Sequence, residues 1–335
     1  MYTLGIGLSG TPNGSETLTI NPVDDGIYDA AGNEASTSQS NNTAALKDKI
    51  APTITGVAVA SDNGTIAVTM SEAVYNTDGG SGALEASDFA FSISGGTASL
   101  SSATPSSISA SGNVYTLGIG LSGTPNGSET LTINPVDNGI YDAAGNEAST
   151  SQSNNTAALK DKTAPTITGV AVATDNGTIA VTMSEAIFNT NGGSGALEAS
   201  DFAFSISGGT ATLSAATPTS ISASGNVYTL GIGLSGTPNG SETLTVTPID
   251  NGIYDAAGNE ASTTQSNNTA TLKDKTAPTI TGVAVATDNG TIAVTMSEAI
   301  FNTNGGSGAL EASDFAFSIS GGTASLSSAT PSTIS

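Results

Sequence analysis

The text YTLGIGLSGTPNGSETLT opens at Tyr2 and returns nearly unchanged at Tyr115 and Tyr228, so the chain repeats every 113 residues. A fixed period constrains the fold more than any local motif, because whatever one repeat folds into, the next must fold into as well. A unit of this length can bury a core of its own, so the expectation is beads on a string. The 335 residues amount to three periods less four residues. Cut at the Lys-Asp-Lys segments, residues 48–160 and 161–273 read as two whole repeats. Residues 1–47 read as the C-terminal half of a domain, and residues 274–335 as the N-terminal half of another.

Inside one repeat the apolar residues alternate. Thr65–Ser71 sends Ile66, Val68 and Met70 to one face and Thr65, Ala67, Thr69 and Ser71 to the other. This is the period of a strand with one buried side. Thr53–Ala60 reads as the strand before it, joined through Ser61-Asp62-Asn63-Gly64, whose Asn-Gly core is a strong hairpin signal. Further strands are expected at Phe89–Ser94, Thr97–Ser101, Ser106–Ala110, Val114–Gly120, Ser128–Asn134 and Glu147–Leu159, with a long glycine-rich loop over Glu72–Asp88. Seven or eight short strands, turn signals throughout and no helical period predict an all-β fold, a Greek-key immunoglobulin-like β-sandwich of about 113 residues. The usual disulfide and tryptophan of that fold are missing, since the chain has no Cys and no Trp.

An ordered set of segments resembles a known family: Thr163-Ala164-Pro165-Thr166, Ser184-Glu185-Ala186, Ala199-Ser200-Asp201-Phe202, Tyr228-Thr229-Leu230 and Asp255-Ala256-Ala257-Gly258-Asn259. Together they look like bacterial Ig-like tandem repeats of the SbsA-like type, found in large secreted surface proteins and adhesins. The resemblance implies an extracellular, bacterial cell-surface location and a non-enzymatic role as a stalk, spacer or filament. Its alternative is direct adhesion, with loops that recognise a glycan or another surface.

Composition narrows the chemistry in the same direction. With no Cys and no His, the chain has no thiol nucleophile, no Ser-His-Asp triad and no zinc or haem site of the usual ligand types. A net charge of −23 opposes binding to nucleic acid, which depends on Lys and Arg. No stretch approaches the eighteen apolar residues of a membrane-spanning helix. Gly118-Ile119-Gly120-Leu121-Ser122-Gly123 fits a dinucleotide fingerprint, but a turn follows it where that motif requires a helix N-terminus. Small residues that let a strand pack closely account for the glycines.

The carboxylates are the remaining candidate site. In an Ig-type order the long loop after the second strand and the Asp-Ala-Ala-Gly-Asn loop lie at the linker end of a domain. This gathers Asp48, Glu72, Glu85, Asp88 and Asp142 in one repeat, with Asp78 and Glu147 nearby. Asp161, Glu185, Glu198, Asp201 and Asp255 gather in the next, and Asp274, Glu298, Glu311 and Asp314 in the last segment. Concentrated hard oxygen ligands are what Ca²⁺ takes, and the Glu85/Asp88 spacing is the most ligand-like. All six basic residues are lysines flanking the linker aspartates: Lys47, Lys49, Lys160, Lys162, Lys273 and Lys275. Neutralisation by Ca²⁺, neutralisation by lysine and plain solvation therefore stand side by side. The partners expected are further repeats of the same chain or copies of itself, joined head to tail so that two half domains complete each other.

Overall fold

The computed structural model describes residues 1–335 and is all-β. Its strands, in chain order, begin with β1 (Thr17–Thr19) and β2 (Thr43–Ala45), which form a two-stranded sheet. Next come β3 (Ile54–Val59), β4 (Thr65–Met70), β5 (Phe89–Ser94), β6 (Ser99–Leu100), β7 (Ile108–Ser111), β8 (Val114–Gly118), β9 (Leu121–Ser122), β10 (Thr130–Pro135) and β11 (Thr156–Ala158). The following repeat gives β12 (Ile167–Val172), β13 (Thr178–Met183), β14 (Phe202–Ser207), β15 (Thr212–Leu213), β16 (Ile221–Ser224), β17 (Val227–Gly231), β18 (Leu234–Ser235), β19 (Thr243–Pro248) and β20 (Thr269–Thr271). A hairpin of β21 (Ile280–Val285) and β22 (Ile292–Met296) follows. The only helical segments are single 3₁₀ turns at Ala86–Asp88, Ala199–Asp201 and Ala312–Asp314.

The chain divides into two compact units that do not follow the repeat boundaries. The first comprises residues 1–166, 185–197 and 250–262; the second comprises 167–184, 198–249 and 263–335.

In the first unit one sheet has the order β3-β4-β8-β7 and another the order β11-β10-β5, while β6 pairs with β9. All pairings are antiparallel. The alternation read in the sequence is realised: Ile66, Val68 and Met70 of β4 are buried and the residues between them are not. β10 does the same with Leu131 and Ile133. These side chains join Ile54, Phe89, Phe91, Tyr115 and Leu117 in one apolar core, so residues of both sheets meet in a sandwich-like arrangement. The rings of Phe89 on β5 and Tyr115 on β8 lie 6.1 Å apart, centroid to centroid. Fully burying each such side chain contributes about 1.5–3 kcal/mol.

The second unit repeats the pattern, with orders β12-β13-β17-β16 and β14-β19-β20 and the pair β15-β18. Phe202 and Tyr228 there lie 6.3 Å apart.

Two local expectations change and one is realised. The final strand expected over Glu147–Leu159 is a ladder only at Thr156–Ala158; before that, isolated backbone bonds such as Ala148 N to Ile140 O and Ile133 N to Asn155 O are supplemented by side chains. Gln152 Oε1 accepts from Ile54 N at 2.9 Å, and buried Asn155 donates through Nδ2 to the Ile133 carbonyl at 2.8 Å. The Asn63 turn is also more than a hairpin. Asn63 is buried at φ 61°; its amide donates to Lys160 O and accepts from Lys160 N, both at 2.8 Å. It thereby ties the β3–β4 turn to the end of the repeat. Finally, Gly118 and Gly120 sit where any Cβ would overlap the hydroxyls of Ser106, Ser107 and Ser101, and strand β9 follows them. These glycines permit a close strand approach and do not form a phosphate loop.

Candidate functional site

The linker is pinned, not free. Lys49 N donates to Pro12 O at 2.9 Å, and Lys162 N donates to Pro125 O at 2.8 Å. Each linker aspartate then closes its own turn: Ile50 N donates to Asp48 Oδ1 and Thr163 N to Asp161 Oδ1, both at 2.8 Å. Gly127, at φ 77°, allows its hairpin to lie directly under Asp161, because a Cβ there would sit 3.2 Å from Asp161 Cβ.

Two loops meet this linker. The loop after β4 and the loop after β10 are clasped by reciprocal backbone bonds between Tyr75 and Tyr141, at 2.7 and 2.8 Å. Phe188 and Tyr254 make the same clasp at 2.7 and 2.8 Å. This fixes Glu72 beside Asp142, and Glu185 beside Asp255. Asp142 is itself locked: its Oδ1 accepts from Ala144 N and Asn146 N at 2.8 Å, and its Oδ2 accepts from Asn146 Nδ2 at 2.6 Å.

The result is two triads, Asp48–Glu72–Asp142 and Asp161–Glu185–Asp255. In each, one carboxylate oxygen per residue lies within 4.8 Å of the other two. Two ligands on opposite sides of a calcium ion, each at about 2.4 Å, lie about that far apart, so the spacing fits one cation. Charge on the glutamate of each triad is disfavoured. Burial pushes the Glu72 carboxyl up from its ordinary value, and the neighbouring Asp142 and Asp48 push it further. Burial, Asp255 and Asp161 do the same to Glu185. No lysine is among the charges acting on either group, and all six lysines are exposed.

The other predicted ligands are placed differently. Glu85 and Asp88, which the spacing singled out, close the 3₁₀ turn: Glu85 N donates to Asp88 Oδ2 at 2.7 Å, and Asp88 N to Glu85 O at 3.1 Å. Glu198 with Asp201, and Glu311 with Asp314, repeat this bond at 2.7 and 2.8 Å. A three-residue spacing in a polar loop suits a turn as well as a ligand pair, and here Asp88 Oδ2 closes the turn. Asp274 and Glu298 belong to the last segment, where both are exposed and no third carboxylate joins them.

The buried acids that sequence reasoning missed are Glu129 and Glu242, both fully shielded from solvent. Glu129 Oε1 accepts from Thr97 N at 2.7 Å and Ala98 N at 2.9 Å, while both of its oxygens accept from Asn126 N at 3.1–3.2 Å. Glu242 has the equivalent bonds from Thr210, Ala211 and Asn239. Burial alone would raise the Glu242 carboxyl, but the backbone donors outweigh it and hold the group at about 2. Glu129 is lowered by the same balance. The legible signal was the Asn126-x-x-Glu129 spacing, which is that of a reciprocal cap.

Comparison of the chain with family models, with curated proteins and with solved structures returns no match. No helix of the structure is long and apolar enough to cross a membrane.

Proposed function

We propose that this chain is a non-enzymatic extracellular structural protein, a run of tandem immunoglobulin-like sandwiches acting as a stalk or filament, with Ca²⁺ held at the acidic triads. One observation carries the reading. The orders β3-β4-β8-β7 and β11-β10-β5 are those of strands A-B-E-D and G-F-C in a constant-type immunoglobulin sandwich. The same orders recur in β12-β13-β17-β16 and β20-β19-β14. The ordered motifs that resemble the SbsA-like bacterial type support this reading and a surface location.

The proposed mechanism is mechanical. Each sandwich resists extension through its own ladder and core, while the pinned linker and its triad stiffen the step to the next. Three carboxylates supply part of the oxygen shell that calcium requires, with water and backbone carbonyls completing it. Bound to the folded state alone, calcium at a hundred times its dissociation constant stabilises by about 2.7 kcal/mol. For a repeat of this size that raises the unfolding midpoint by about 10 °C. Calorimetry of the chain in millimolar CaCl₂ and in EDTA tests the site; coincident midpoints would remove calcium from the account.

A further inference from the structure

In an Asn-Gly pair the glycine nitrogen can attack the asparagine side-chain amide, because no Cβ on the glycine shields it. Each complete repeat carries the pair at three recurring places: the hairpin at Asn126 and Asn239, the turn at Asn63 and Asn176, and the loop at Asn138 and Asn251. The fold treats them differently. In the turn, Gly64 N donates to Asp62 Oδ1 at 2.9 Å, and Asn63 Nδ2 donates to Lys160 O at 2.8 Å. Gly177 and Asn176 are tied in the same way, at 2.9 and 2.7 Å. In the loop, Gly139 and Gly252 are buried. There Asn138 and Asn251 donate through Nδ2 to Asp137 and Asp250, both at 2.9 Å.

The hairpin is the exception. Gly127 is exposed, and neither its N–H nor the Asn126 side-chain amide nitrogen is engaged in a hydrogen bond. Asn126 Oδ1 instead accepts from Ser128 N at 3.1 Å. That bond folds the carboxamide back along the chain toward Gly127 N. It also aims a donor at the oxygen where negative charge develops during attack. Asn239 accepts from Ser241 N at 3.1 Å in the same arrangement. Nucleophile, polarised carbonyl and unrestrained leaving group therefore coincide only in the hairpin. We propose that Asn126 and Asn239 are sites of spontaneous deamidation through a cyclic imide, from which the turn and loop pairs are protected. Gly127 N gives up its proton to hydroxide and bonds to Asn126 Cγ; the Cγ–Nδ2 bond breaks, and ammonia leaves. Water then opens the ring. Breaking the new Cγ–N bond yields aspartate, and breaking the original peptide bond yields isoaspartate, whose main chain is longer by one methylene.

The product falls on the support of the linker. Pro125 O accepts from Lys162 N at 2.8 Å and from Thr163 Oγ1 at 3.0 Å, while Gly127 lies under Asp161. Pro238 O accepts from Lys275 N at 2.8 Å and Thr276 Oγ1 at 3.1 Å, and Gly240 lies under Asp274. An extra methylene between Pro125 and Gly127 puts these two supports out of step, so isoaspartate releases the linker. Ordinary aspartate keeps the backbone and an acceptor for Ser128 N, and does not. The hairpin is thus an ageing site that loosens the linker segment.

The full chain, kept for weeks in mildly alkaline buffer, is mapped by mass spectrometry of its peptides, with isoaspartate read by enzymatic methylation. Asn126 and Asn239 should convert first. Asn63 and Asn176 should be about a hundredfold slower, roughly fivefold for each of three hydrogen bonds that must open beforehand. In urea the rates should converge, because every pair is then an unprotected Asn-Gly. Equal rates in the folded chain, conversion at Asn63 ahead of Asn126, or a difference that persists in urea overturns the proposal. Hydrogen exchange at the Lys162 amide tests the consequence. It should quicken in the isoaspartate fraction and stay slow in Asn126→Asp; an amide equally protected in both overturns the loosening. Neither measurement depends on calcium or on a stalk role, so the function proposed above stands or falls separately.

Discussion

Replacing Glu129 with Gln changes one atom of a fully buried side chain, and the hydrogen-bond geometry sets the cost. The Gln carbonyl can still accept from Thr97 N and Ala98 N, which lie 2.7 and 2.9 Å from the present carboxylate oxygen. Those bonds become neutral and lose roughly half their strength, about 1 kcal/mol each. The Gln amide then confronts the Asn126 N–H, donor against donor, leaving it only the 3.2 Å contact to the remaining oxygen, and a buried donor so weakened adds about 1–3 kcal/mol. The sum, about 3–5 kcal/mol, lowers the midpoint of a unit of this size by about 15 °C or more. Because Glu242 is untouched, differential scanning calorimetry should resolve one early transition and one at the original temperature. The pH dependence supplies an independent sign. Glu242 sits at about 2, below the 4.5 of the unperturbed group, so its contribution is fully present above about pH 4.5 and is lost as pH falls toward 2. The double variant Glu129→Gln/Glu242→Gln should lose less stability across that window than the original chain. A midpoint shift below about 2 °C, or two transitions displaced together, would refute the reasoning.

Other consequences are separable. Gly96→Ala places a Cβ inside the Glu129 carboxyl at a backbone φ of 61°, so it should destabilise its repeat by about 2–4 kcal/mol in urea unfolding. Asn63→Gly keeps the left-handed turn but removes both bonds to Lys160. It should cost about 1–3 kcal/mol, and Asn63→Ala more, because Ala also resists that φ. Glu72→Gln and Glu185→Gln relieve repulsion in the triads and should raise the midpoint in EDTA while abolishing the response to calcium. The raised Glu72 and Glu185 carboxyls act oppositely to Glu242. Folding binds their protons, so in EDTA their contribution should improve as pH falls from neutral toward 4.5, and calcium should reverse that trend.

The strands were legible because their signal is local. Ile66, Val68 and Met70 alternate with small polar residues, and only a half-buried strand satisfies that period; Asn63-Gly64 then marks the turn. The acidic end was legible in outline, since placing the loops beside the linker brings Glu72 and Asp142 to Asp48. What was not legible depended on which backbone groups remained unpaired after folding. Glu85 and Asp88 read as ligands by spacing, and spacing cannot show that Asp88 also closes a 3₁₀ turn through the Glu85 N–H. Glu129 read as a strand residue because nothing local shows that the turn after β5 presents two free N–H groups to it. Gln152 and Asn155 sat in a stretch read as an ordinary final strand, and their side-chain bonds to the backbone follow only from the partners, Ile54 and Ile133.

The claim that the repeats are independent mechanical elements can be measured by pulling single chains from end to end at constant velocity. The account predicts two discrete unfolding events of similar force. Each should release roughly 35–40 nm, the contour of one 113-residue repeat at about 3.5 Å per residue. Calcium should raise the force of both events and EDTA lower it. A single event, or smooth extension without discrete steps, would contradict the account.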